Sequence, residues 1–205
     1  MGYTEPTTRT TGDLITASIW NTDLTDNISY LNTNKGILNA IAYSRLGGAG
    51  TFSFTGISAS YDDLFVKMVL RGAASATNEN IVVRFNNDSG ASYENQYVYG
   101  QSTTLVGAQA TGQTSLMVGV NVNADTATAN SFSVLHLMIP AYASTSIFKL
   151  GLLFNGGMRG STANFVQIAS GEWANTAAVD RIDISAAGGN FTANSEVSIY
   201  AGQSI

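Results

Sequence analysis

The chain has 205 residues, no cysteine, a single histidine and a net charge of −5 at neutral pH. Charged residues make up only 11% of it, where soluble domains usually carry ~25%. These figures exclude disulfide staples, thiolate metal sites and cysteine catalysis, and the 9 scattered Lys and Arg exclude a phosphate-tracking nucleic-acid surface. Thr, Ser, Asn and Gly take the place of the ions, while 44% hydrophobic and 10% aromatic residues supply a core and argue against disorder. No apolar run is long enough for a membrane span. The opening "MGYTEPTTRT" lacks the basic-then-apolar run of a signal peptide.

Residues 1–13, rich in Thr and poor in apolar side chains, read as an extended arm held only by a partner. "TGDLITASIWNTDLTDNISYLN", residues 11–32, then reads as an amphipathic helix, capped by Thr16 or Ser18. Leu24, Leu31 and Leu38 recur every seven residues, and Trp20, Asn27, Asn34 and Ile41 fall on the second seam position of the same heptads. The pattern predicts an oligomerisation helix whose polar Asn27 and Asn34 set register and copy number. Gly36 interrupts it, and "RLGGAG", residues 45–50, ends it. The helix either bundles with copies of itself or folds back onto its own domain. The expected division is therefore 1–46, arm and helix, and 51–205, a β domain.

From residue 51 the period falls to two. "DLFVKMVLRG" places Leu64, Val66, Met68 and Leu70 on one face, with Lys67 and Arg71 on the other. "NIVVRFNN", "DRIDIS" and "SEVSIYAG" alternate in the same way, as strands with one wet face do. "SFSVLHLMIP" and "IFKLGLLFN" are apolar throughout and read as central or doubly covered strands. Turn clusters such as "NNDSG", "FNGGMRG" and "AAGGN" separate the runs. About ten strands at this spacing predict a mainly β fold, an antiparallel β-sandwich of jelly-roll type.

Chemistry is sparse. His136 sits mid-strand among leucines, without a nucleophile motif, and one imidazole cannot build a multi-histidine metal site. Asp62 and Asp63 are adjacent, so they point to opposite faces of a strand. Asp180, Asp183 and Glu172 offer carboxylates, but a glycosidase needs a facing pair across a sugar. "NNDSG" supplies Asp88 alone where calcium wants several carboxylates, and reads as a turn. The glycine clusters lack the phosphate-loop pattern. No catalytic residue, cofactor site or metal ligand is assigned. Tyr93, Tyr97 and Tyr99, with Trp173, form either a contact strip for a glycan or protein, or strand aromatics filling the core.

The stretch "GDLITASIWNTDLTDNISYL" resembles the N-terminal segment of structural proteins of tailed bacteriophages, through Gly12, Ile15, Thr16, Ala17, Trp20, Asn21, Asn27, Tyr30 and Leu31. "GGNFTANSEVSIYAG" looks like the closing strand of phage β-sandwich domains, and residues 54–93 are similar in layout to the same domains. The resemblance implies a non-enzymatic virion protein on the exterior of the particle, assembled in the cytoplasm of a bacterial host. It implies a capsid decoration or cement protein, a homotrimer bound to the major capsid protein, or alternatively a tail fibre recognising a host glycan. A capsule depolymerase is the third reading. Nucleic acid and membrane are not expected partners.

Overall fold

The computed structural model describes residues 8, 10–14, 16–28, 38–117, 119–160 and 164–202, and falls into two compact units, Met1–Asn39 and Ala40–Ile205. In the first, α1 (Ala17–Trp20) runs directly into a π-helical turn, Asn21–Asp26. Thr16 is the cap: its backbone is extended, with φ −83 and ψ 162, and its hydroxyl accepts from the Ile19 N–H at 3.3 Å. That satisfies one of the four donors a helix start leaves open. The wider π turn changes the number of residues per turn, so a heptad no longer returns to one face. Trp20, Leu24 and Ile28 are exposed, while Asn27 is buried. Leu31 and Asn34 lie outside the described residues.

Leu38 and Ile41 correct the helical reading, because both belong to a strand, β1 (Leu38–Arg45). Past Gly36, "LNAIAY" fits a period of two as well as one of three to four, and pairing decides between them. The expected boundary at residue 46 moves accordingly, since β1 joins the sheet.

Eleven further strands follow: β2 (Phe52–Thr55), β3 (Asp63–Leu70), β4 (Asn78–Phe85), β5 (Tyr93–Gln101), β6 (Thr104–Gln113), β7 (Asn121–Asn123), β8 (Ser133–Ile139), β9 (Lys149–Gly157), β10 (Phe165–Trp173), β11 (Arg181–Ala186) and β12 (Glu196–Gly202). An eight-stranded sheet has the order β1-β12-β3-β8-β9-β10-β5-β6, and a four-stranded sheet the order β2-β11-β4-β7. The ladders between neighbours are antiparallel, as in β3–β8, β9–β10 and β4–β11. The chain is thus mainly β, as its alternation predicts.

One hydrophobic cluster joins the two sheets. Leu64, Val66, Met68 and Leu70 of β3 share it with Phe52 and Phe54 of β2, Ile81, Val83 and Phe85 of β4, and Ile182 and Ile184 of β11. The predicted inward set of β3 is the observed one, with Lys67 outward; Arg71, expected on the wet face with it, is buried instead. β8 and β9 are central in their sheet, as expected, but they are not covered on both sides. Val134, Met138, Leu150 and Phe154 are exposed, whereas Leu135, Leu137 and Leu153 are in the core.

Candidate functional site

The tyrosine strip is the first sequence-derived candidate, and the structure corrects it. Tyr93 is fully buried, with its ring stacked on Trp173 at 6.4 Å. Its hydroxyl accepts from the Phe85 N–H at 3.1 Å and faces the Asp88 carbonyl at 3.2 Å. It is a core residue, closed off from the surface. Tyr97 and Tyr99 stack at 6.0 Å and are half-buried on the same, inward side of β5. Tyr97 lies so close to Gly119 that a Cβ there would come within 2.2 Å of its ring, and Gly119 also has φ +86. Only glycine fits that position.

Burial pushes the Tyr93 hydroxyl up from 10 to about 12. A group that stays protonated longer in the folded state than in the unfolded one costs stability as pH climbs between those two values. The unfolding free energy should therefore fall from pH 10 towards 12, and Tyr93→Phe should flatten that decline. Urea unfolding of both proteins at stepped alkaline pH measures the difference.

The other chemical candidates resolve into structural roles. The carboxylate of Asp63 accepts from the Ala141 N–H at 3.0 Å, and Asp183 pairs with Arg181 at 2.8 Å on one face of β11. In "NNDSG", Asn86 and Asn87 take left-handed φ of 51 and 57, forming the predicted turn. Asp88 accepts from the Gly90 N–H at 2.8 Å and from the Trp173 indole at 2.7 Å, so its lone pairs tie the turn to the core. His136 is exposed, in register with Lys67 and Phe154. Among the described residues no three His, Asp or Glu side chains gather as metal ligands.

Two features of the eight-stranded sheet remain. One is an open cleft of about 230 Å³ lined by Glu94, Gln96, Gln109, Thr111, Ser170 and Glu172 among others, with Glu94 and Glu172 cross-strand partners. The other is the outward face itself. The register places its side chains in rows that run across the strands. One row is Val69, Val134, Gly156, Val166, Gly100 and Leu105. The next is Lys67, His136, Phe154, Ile168, Val98 and Gly107. A third is Phe65, Met138, Leu152, Ser170, Gln96 and Gln109. Leu105 is 76% exposed, Val166 65% and Phe154 47%.

From β3 to β6 Lys67 is the single Lys or Arg in these three rows and no Asp or Glu interrupts them; on β12 the first row continues into Glu196, and the row beyond the third carries Glu172 and Glu94. An isolated exposed Leu is ordinary, but a contiguous apolar face marks an interaction surface. Sequence reasoning missed this face. Its signal was present in the uniformly apolar "SFSVLHLMIP" and "IFKLGLLFN" runs, which resemble strands buried on both sides when the partner surface is left out of account.

No family model, curated protein or solved structure matches the chain. No described helix is long and apolar enough to cross a membrane.

Proposed function

We propose that the protein is a non-enzymatic structural component of a tailed-phage virion that works by assembly, most simply as a decoration protein on the outer capsid. The observation that carries the assembly reading is the charge-poor apolar face of the eight-stranded sheet. A contiguous exposed apolar patch of that kind marks an interaction surface. The likeness of "GDLITASIWNTDLTDNISYL" and "GGNFTANSEVSIYAG" to phage virion segments supplies the setting. Two antiparallel sheets around one core support a β-sandwich, of which the jelly roll is one form. The major capsid protein is the proposed attachment partner, with residues 1–20 making the contact.

The expected copy number of three comes from the resemblance to capsid decoration proteins, and the heptad seam was to supply the bundling without selecting the number. With Leu38 and Ile41 in β1 the seam loses its last two positions, while Leu31 and Asn34 lie outside the described residues. A second reading, a tail fibre that binds a host glycan, is favoured by the Glu94–Glu172 cleft, whose carboxylates and amides suit sugar hydroxyls. Counting copies in purified particles by quantitative mass spectrometry tests both. Hundreds per particle are expected for decoration, a few dozen or fewer indicate the tail, and absence from the particle overturns the virion reading.

A further inference from the structure

The outward rows carry more than apolarity. In the first, side chain and gap alternate over the five strands beyond β3, where Val69 stands directly beside Val134: Val134 on β8, Gly156 on β9, Val166 on β10, Gly100 on β5, Leu105 on β6. Neither of these glycines is demanded by the fold. Gly100 and Gly156 do not have positive φ, and an added Cβ would meet its nearest atoms at ordinary distances of 3.9 and 3.6 Å. Glycine inside a strand weakens it, and its recurrence there marks a place where another surface approaches closely. The gaps are therefore unfilled from within this domain, and they lie between ridges of Val and Leu.

We propose that this face packs against the same face of a second copy of the chain, with the ridges of one seated in the glycine gaps of the other. The proposal deepens the assembly reading and rests on it. Strands lie ~4.8 Å apart, so ridges and gaps both recur about every 9.6 Å, and a copy displaced by one strand interdigitates. Facing sheets pack at ~10 Å by this kind of interlocking. The size agrees as well. Six strands and three side-chain rows span roughly 600 Å² in projection, against ~800 Å² per partner in a standard stable interface. The composition is that of a homodimer core, which is depleted of charge, and Lys67 at one side can reach solvent along its stem.

The test is sedimentation of the full-length protein from about 1 to 100 μM. The wild type should run at twice the chain mass. Gly100→Val combined with Gly156→Val fills the gaps on outward positions, and should weaken dimerisation at least tenfold with far-UV circular dichroism and melting preserved. Leu105→Ser shaves a ridge on an edge strand and should act in the same direction, which keeps the test available if the double variant fails to fold. Leu24→Asp, in the first unit, should leave the dimer intact. A monomeric wild type, a dimer indifferent to both face variants, or a dimer lost on Leu24→Asp would each overturn the pairing. A chain that dimerises through this face yet is missing from purified particles leaves the pairing standing and removes the virion. A particle component that is monomeric in solution does the reverse.

Discussion

Trp173→Ala is expected to lower the unfolding free energy by about 3–5 kcal/mol, the usual range for truncating a large aromatic in a core. The residue is 1% exposed, packs edge-on against Phe85 at 5.7 Å and stacks on Tyr93 at 6.4 Å. It also donates its indole N–H to Asp88 at 2.7 Å, across the length of chain that separates β10 from the turn after β4. The alanine variant thus opens a cavity and releases the turn together. Trp173→Phe separates the two: it keeps most of the packing, loses the donor, and should cost about 1–2 kcal/mol.

The same pair has an acid signature. The Trp173 N–H, then the Gly90 N–H, hold the Asp88 carboxyl below the usual carboxylate range. A carboxylate depressed in the folded state stabilises it above the unfolded value, near pH 4, and that stability is lost as pH falls towards the folded value. In Trp173→Phe the acid-side decline should be shallower than in wild type. Urea midpoints between pH 2 and 6 read it, with unchanged slopes confirming a common denatured state.

Arg71→Ala is the second large effect, about 3–5 kcal/mol. The guanidinium is buried just beyond β3 and donates to four backbone carbonyls: Thr128 at 2.8 Å, Ser131 at 2.9 Å, Asp125 at 2.8 Å and Ala127 at 3.1 Å. One side chain therefore closes the loop between β7 and β8. Each hydrogen bond to a charged donor contributes about 1.5–3 kcal/mol, partly recovered by water once the loop opens. Arg71→Lys should restore little, because an ammonium keeps the charge but cannot fork to four acceptors. Hydrogen exchange across residues 124–131 should accelerate in both variants while the β4 and β11 amides stay protected.

Arg159 is the contrasting case. It is buried against the Phe165 ring at 3.9 Å, and burial lowers its guanidinium to about 10. Among the described residues its Nε and one Nη have no hydrogen-bond partner, so its stacking contact is what offsets desolvation. Two arginines close in sequence type differ wholly in surroundings, and nothing in "LRGAA" or "GMRGS" distinguishes them.

Strand alternation is a property of neighbouring residues, and it was readable. Leu64, Val66, Met68 and Leu70 follow the pleat wherever β3 lies in a sheet, and "NNDSG" turns because Asn tolerates the left-handed region. The helix start was readable for the same reason, since Thr16 caps from within its own first turn. The chain by itself therefore determined a mainly β domain after a capped helix, poor in charge and in catalytic groups, while the seam it drew through Leu38 and Ile41 was not the helix's. Only the tertiary structure decided which apolar residues are covered. Tyr93 is core because Trp173 reaches it from β10, and Ile41 is strand because an edge was free beside β12. Phe154 and Ile168 face outward because the four-stranded sheet shares its core with the opposite side of the larger one. Coverage depends on contacts between residues far apart in sequence, and a pattern of period two specifies that two faces exist without specifying what lies against each.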